Sequence, residues 1–466
     1  MVGRIARKEF TEILRDGRFR LLGALVLTVA AVALGAGWRH YTDVQRQHEQ
    51  AQRATRAQWL AQGEKNPHSA AHYGVYAFKP KSRLSLFDTG VDSYVGVAAW
   101  LEAHKQNEFK YRPAQDRTSL QRFGELTAAG TLLVLMPLFI ILTTFSAFSG
   151  EREQGTLRTV LSLGVTPRVL AAGKAAGVGL SLALVLVPAA AMALAGLSLT
   201  SGFGDWRPDA GRALLLGAAF LTYFVTIAAL ALGVSARASS SRSALTVLLA
   251  FWFLNCLVAP RAAGDLAEAA HQTPTPVQFQ RSMQADLDDR TELDARLARV
   301  RSELMHEYSA TSIDAVPVNF RGISLQEGEE HGNEVFDTHY NRLYDIYDRQ
   351  VRATRFAGLL APAVPMRLLS MALAGTDMAH HRAFATAAES YRRGIQRTLN
   401  ADITSHTAAN YVAGGDLWAR IPSFAYEMPG LSAVTASHRW DFVLLAAWLL
   451  GAVAFAVTGA ARLAVD

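Results

Sequence analysis

The sequence predicts an all-α membrane protein: six transmembrane helices joined to a mainly helical extracytoplasmic domain built from two long loops. Three observations lead there. Six apolar runs carry few charges, and about 20 apolar residues at 1.5 Å rise cross a hydrocarbon core of roughly 30 Å. Arg and Lys collect at the ends and in alternate short connections, the places that stay cytoplasmic under the positive-inside rule. Two long polar stretches between the runs show helical periodicity. With 466 residues, 50% of them hydrophobic, the chain holds a sizeable polar mass beside its spans. The net charge of +6 reports orientation rather than nucleic-acid binding. Cys256 is the sole cysteine, so no intrachain disulfide can form.

In chain order, residues 1–20 set Ile5, Ile13 and Leu14 against Arg4, Arg7, Lys8, Arg15 and Arg18, the pattern of an amphipathic helix on the cytoplasmic surface. The first span is 21–38. A cleaved signal peptide is the competing reading, because Ala33-Leu34-Gly35 offers small residues, but the amphipathic leader is too long for the usual charged region. Residues 39–125 form the first extracytoplasmic segment, with a helical stretch at 41–62. The second span, 126–148, contains Pro137, a candidate kink. Residues 149–168 are a cytoplasmic element. The third span, 169–199, is rich in Gly and Ala and contains Pro188. Spans four and five are 213–235 and 244–260, followed by a large extracytoplasmic helical segment at 262–439 and a sixth span at 440–461. This order puts both termini in the cytoplasm together with Arg152, Arg168, Arg237, Arg242 and Arg462.

Within 262–439, two amphipathic patterns at 277–308 and 334–356 predict long helices packed as an antiparallel pair. Residues 356–375 are apolar but interrupted by Pro362, Pro365 and Arg367. A seventh span there would move the C-terminus to the other side. The stretch is read instead as buried in the domain or lying at the interface.

The element at 149–168 is a short polar helix between two spans. Leu157, Val160 and Leu161 fall on one helical face, Gly164 is placed to end the helix, and Thr166-Pro167 can start the next. Glu151 and Glu153 lie near its start, where the macrodipole favours negative charge. The apolar face is expected to be uncovered by the rest of the chain and to act as a socket for a soluble partner.

Glu151, Glu153, Gly155, Thr156 and Leu157, followed by Leu161-Ser162, Pro167-Arg168 and Gly173-Lys174, resemble the coupling helix of type-2 ABC transporter permeases. Gly375, Thr376, Asp377, His380, His381, Phe384, Glu389, Tyr391 and Arg392 resemble a subgroup with a large insert between the last two spans. The likeness covers nearly the whole layout, but residue-level matches are confined to these two stretches. It implies a permease subunit, an exporter in the bacterial cytoplasmic (inner) membrane, worked by a separate ABC ATPase subunit that binds ATP and Mg. A second permease chain, identical or homologous, and membrane lipid are the other implied partners. The coupling residues carried over are Glu151, Arg152, Glu153, Gly155, Thr156, Leu157, Val160, Leu161, Pro167 and Arg168. An ordinary basic turn is the bland alternative for this stretch.

Other chemistry is sparse. A phosphate-binding loop needs G-x-x-x-x-G-K followed by Ser or Thr, whereas Gly173-Lys174 precedes Ala175 and Arg168 stands at the first glycine position. The chain is therefore not expected to be an enzyme, and no cofactor is assigned to it. His380-His381, His331, His339 and Glu303-x-x-His306 are read as hydrogen-bonded or solvated rather than metal ligands, since adjacent helical histidines diverge and one E-x-x-H is half of a bundle di-iron set. No metal is assigned. No H-E-x-x-H is present, which argues against a zinc protease, and there is no G-x-S-x-G; a membrane-bound hydrolase using the histidines stays a third possible function. Asp441 and Asn255 are candidate polar contacts in the bundle and Glu125 an edge residue. Trp38, Trp100, Trp418 and Trp440 are read as aromatics near a bilayer face. A non-transporting sensor or scaffold with a helical extracytoplasmic domain is the alternative function.

Overall fold

The computed structural model describes residues 1–110, 126–201, 204 and 206–463. Among them, six helices are long and apolar enough to cross a membrane: Gly17–Leu60, Ala128–Glu153, Pro167–Thr200, Arg207–Arg237, Ser241–Ala270 and Arg439–Ala461. The chain is a multi-pass membrane protein by that length and composition.

Helix α1 (Val2–Arg15) precedes α2 (Gly17–Leu60), with Asp16 between them accepting from the Arg18 N–H at 2.9 Å as N-cap. At 44 residues α2 is about 66 Å long, twice what a bilayer needs. Its second half therefore leaves the bundle and carries the 41–62 stretch, predicted as a separate helix, as one continuous rod. Helix α3 (Pro67–Tyr73) follows, capped by Asn66 with Pro67 in its first turn.

A three-stranded antiparallel sheet comes next: β1 (Val75–Phe78), β2 (Ala98–Glu102) and β3 (Lys105–Gln106), with Val75 opposite Leu101 and Phe78 opposite Ala98. The sequence reading anticipated only helices and turns here. Val75, Tyr76 and Phe78 are β-formers with alternating burial, and four residues are too short a run to stand out against helical periodicity.

Helix α4 (Ala128–Thr144) runs through Pro137 and is followed by α5 (Ser149–Glu153) and α6 (Thr156–Ser162). Then come α7 (Pro167–Thr200), α8 (Arg207–Arg237) and α9 (Ser241–Phe253). A π-helical turn at Leu254–Val258 joins α9 to α10 (Ala259–Ala270). There Asn255 is buried, accepting from the Ala363 N–H at 3.0 Å and donating to the Tyr223 hydroxyl at 3.0 Å. The expected intrabundle contact of Asn255 thus exists, and it holds the π turn against two neighbours.

The predicted 277–308 helix is broken into α11 (Pro276–Asp288) and α12 (Thr291–Glu307). Asp289 accepts from the Thr291 N–H at 3.2 Å, a local turn that competes with helix continuation. Both helices lie along α13 (Phe320–Phe356), which starts well before the predicted residue 334 because Asn319 caps it. Helix α14 (Ala363–Ala374), 12 residues long, is too short to cross a bilayer. Its Ala363, Met366, Leu369 and Leu373 are buried in the bundle core, so 356–375 ends as a wedge among the spans rather than within the polar domain. Helix α15 (Met378–Thr404) and the last span α16 (Arg439–Ala461) complete the fold.

Two cores result. One fills the bundle around Met136, Phe139, Tyr223 and Leu369. The other joins the two polar segments: Trp59, Ala70 and Leu101 from the first pack with Phe384, Leu399 and Trp418 from the second. The Trp59 indole N–H donates to the Trp418 carbonyl at 3.0 Å. Trp418 is fully buried here and Trp100 sits on β2 against Tyr76, so neither belongs to a bilayer-facing belt as expected. Trp440 is exposed beside its span. Glu125 lies outside the described residues.

Candidate coupling site

The stretch between α4 and α7 is fixed first by backbone chemistry. The Phe148 and Ser149 N–H groups donate to the Ser235 hydroxyl at 3.0 and 3.1 Å. Gly155 adopts φ +74° in open space, so the left-handed backbone, not crowding, calls for glycine there. It splits the single helix expected from the sequence into α5 and α6. Gly164, at φ +84°, ends α6, and Thr166 caps α7 with Pro167 in its first turn, as the sequence reading placed them.

Three charged residues of this stretch, Glu151, Arg152 and Lys174, are turned into the protein. The Lys174 ammonium, only 2% exposed, donates to Glu9 at 2.7 Å and lies 3.1 Å from Glu151. Lys8 donates to Glu151 at 2.9 Å. Two carboxylates and two ammoniums from α1, α5 and α7 therefore balance. Burial pushes the Glu9 carboxyl up, opposed by the Lys174 charge. Arg152 donates to the carbonyls of Ala236, at 2.8 Å, and Ala238 at the end of α8, and Glu153 accepts from the Ser241 hydroxyl at 2.7 Å at the start of α9. Each charge of Glu151-Arg152-Glu153 fastens α5 to a different element.

Close helix approach makes this geometry reachable. A Cβ on Gly173 would stand 2.5 Å from the Ile5 Cβ, and one on Gly177 would stand 2.6 Å from the Glu9 Cβ. Gly173-x-x-x-Gly177 is a small-residue seam on α7 that seats α1. The sequence motif contained Gly173 and Lys174, but the residues that meet them, Ile5 and Glu9, lie some 165 positions away and were not paired with them.

One expectation is corrected. Leu157 is 4% exposed and belongs to the bundle core with Phe148 and Leu170, while Val160 and Leu161 are half-buried against it. The apolar face of α6 is covered by its own chain and is not an open socket. What remains exposed is Glu153, Gln154, Gly155, Thr156, Arg158, Thr159, Ser162, Gly164, Thr166, Arg168 and Leu163, the last at 77%. Leu163 lies just past the apolar face by helical period, which is why sequence reasoning passed over it.

At the opposite end of the bundle a second buried network closes the spans against the polar domain. Asp377 accepts from His380 at 2.6 Å and from His438 at 3.2 Å. His438 also bonds Asp441 at 2.8 Å, and Asp441 pairs with Arg355 at 3.1 Å. Arg212 lies 3.4 Å from His380 and donates to the Ala372 carbonyl at the end of α14. Asp441 is fully buried, so it is a member of this network rather than an interfacial residue. Burial alone would raise the Asp377 carboxyl, but hydrogen bonds from His380 and His438 hold it far below its ordinary value. Burial lowers His438, and its two carboxylate partners outweigh that and hold it at about 9. Glu389 and Arg392, also singled out in the sequence, form a buried ion pair at 2.7 Å that extends to Glu329 at 3.0 Å.

His381 is buried with its ring against Phe109 at 4.8 Å, and His339 bonds Asp286 at 2.7 Å. A different set of histidines converges instead. One ring nitrogen from each of His68, His72 and His104 lies within 4.8 Å of the others. The sequence reading missed it, although His68-x-x-x-His72 on one helical face was a visible signal.

Residues 276–427 match the family described as a domain of unknown function, DUF3526, which takes in α11 to α15 and leaves the coupling stretch outside. Comparison with curated proteins gives no match.

Proposed function

We propose that this chain is the permease subunit of an ABC transporter of the type-2 class, an exporter whose energy comes from a separate ATPase subunit. The observation that carries this reading is the run from Glu151 to Lys174: it resembles the family's coupling motif, and its residues tie two spans and an amphipathic helix into one unit at a bundle end. The six apolar helices and the clustering of Arg at that same end support it; in this reading α1, α5, α6 and both termini lie in the cytoplasm of a bacterial cell. The polar domain would then face outside, and a second copy or a homologous chain would complete the transport path.

In this reading the ATPase docks on the exposed ridge of Gln154, Arg158, Thr159 and Leu163. Movement passes through Glu151 and Lys174 to α1 and α7, which shift together because the ion network and the glycine seam join them. An exposed apolar residue ringed by polar ones is the pattern of an interface centre. Affinity purification from native membranes, followed by identification of co-purifying chains, tests the proposal. Recovery of an ATPase with a Walker motif supports it, and a Leu163→Asp chain should recover about tenfold less of that ATPase at unchanged membrane level. Purification of the intact chain without any such ATPase would favour a sensor or scaffold. Reporter fusions at Gly164 should read cytoplasm, and those near Gly63 and Gly332 the outside.

A further inference from the structure

Three histidines meet where α3, the β2–β3 turn and α13 converge in the polar domain. His68 and His72 are one helical turn apart on α3, and their Nε2 atoms lie 3.3 Å from each other. Their ring centroids are 4.8 Å apart, with that of His104 at 5.3 and 5.1 Å. Imidazoles around a tetrahedral zinc, with bonds of about 2.0–2.1 Å, stand about 3.4 Å apart nitrogen to nitrogen. The His68–His72 pair already has that spacing.

His104 is aimed by the fold. Its turn is fastened to α3 by the Ala103 N–H, which donates to the Ala71 carbonyl at 3.2 Å. Its backbone has φ +63°, a left-handed conformation that a non-glycine residue rarely adopts. The backbone N–H and the Nδ1 atom both bond Glu329 Oε1, at 3.0 and 2.7 Å. Glu329 is itself buried and anchored to Arg392. With Nδ1 committed to a carboxylate, Nε2 is the nitrogen left for a ligand. A carboxylate holding the far nitrogen of a histidine is the arrangement that orients metal-ligating imidazoles and raises their basicity.

We propose that His68, His72 and His104 bind a divalent first-row transition ion, zinc or copper, with Glu329 as the positioning carboxylate. Three imidazoles leave a fourth position, and the exposure of His72 and His104 opens it to water. Arg321 is the nearby cation that opposes binding and Glu329 the anion that favours it. This site does not depend on the transport reading: it rests on the polar domain alone.

The test uses the full chain in detergent, with any affinity tag removed, titrated with zinc chloride and copper sulfate against a chelating dye. One ion per chain is expected, copper tighter than zinc. Cobalt should give the visible absorption of a tetrahedral site. Glu329→Gln should weaken zinc about 10–100-fold at unchanged stoichiometry, and the doubly substituted His68→Ala/His72→Ala chain should lose the site. His72→Gln, at an exposed position, guards against misfolding: its melting temperature without metal should equal the wild type while zinc no longer raises it. His306→Ala, at an exposed histidine elsewhere, should bind as the wild type does. Absence of stoichiometric binding, or unchanged affinity in His72→Gln, would overturn the proposal.

Discussion

The two ends of the bundle are each closed by a buried ionic network, and the networks differ in kind. At the coupling end, Lys8, Glu9, Glu151 and Lys174 join α1, α5 and α7, all short-range neighbours of an exposed ridge. At the other end, Asp377, His380, His438, Asp441 and Arg355 clamp spans to the polar domain. The first contains only side chains whose ordinary ionisation lies far from neutrality. The second includes His438, held at about 9, and therefore answers to pH. The comparison teaches that ionic networks serve two ends: a fixed-charge joint that ties α1, α5 and α7 together, and a clamp that sets how the domain sits on its spans.

The largest expected effect breaks the joint. Lys174→Ala leaves Glu9 and Glu151 facing each other without their shared cation, and removal of one member of a buried ion set costs about 3–5 kcal/mol. Thermal unfolding in detergent measures it, and adding Glu9→Gln should restore part of the loss. A melting temperature unchanged by Lys174→Ala would mean that the joint is hydrated and the comparison fails.

Leu157→Ala comes next. Truncating a buried leucine costs about 2–5 kcal/mol, whereas Leu163→Ala should change stability by less than about 0.5 kcal/mol and act only on partner recovery. The pair separates the packed face of α6 from its exposed one.

The clamp is tested by pH. His438 has its folded value raised to about 9, above its ordinary value near 6.5. The stabilisation from charged His438 is therefore fully present below about pH 6.5 and is lost as pH rises through about 9. Asp377 has its folded value lowered, so its contribution is present above about pH 4 and fades only in acid. Stability measured from pH 6 to 10 should fall by a few kcal/mol, and His438→Gln should flatten that fall. An equal decline in the variant would assign the pH dependence elsewhere.

A smaller effect sharpens the seam. Gly177→Ala puts a methyl against Glu9 and the Ala6 carbonyl, at 2.6 and 2.8 Å, and such overpacking costs about 1–3 kcal/mol. Gly179→Ala, on the same helix with open space around it, should be neutral or slightly stabilising. Protease sensitivity of α1 distinguishes the two.

Much of the architecture was legible in the residues because its signals are local. Six long apolar runs need no tertiary partner to be recognised, since a bilayer forces helices to satisfy their own backbone. Gly164 and Thr166-Pro167 encode chain reversal through backbone preference alone, and both sit where the sequence puts them. The helical character of 262–439 and the shortness of the apolar stretch at 356–375 were likewise readable from periodicity and proline placement.

What the tertiary structure alone decided is which face meets which. Leu157 on a surface helix has the same periodicity whether its cover is a partner or its own bundle, and only packing showed that Phe148 and Leu170 share its core. Lys174 finds Glu9 from a helix far away in sequence, because two glycines let the backbones touch. The short sheet places His104 against a helix it does not adjoin in the chain. Patterns fix elements because helix and span formation depend on near neighbours; the ion networks and the histidine cluster depend on distances between elements, which one chain's periodicity does not contain.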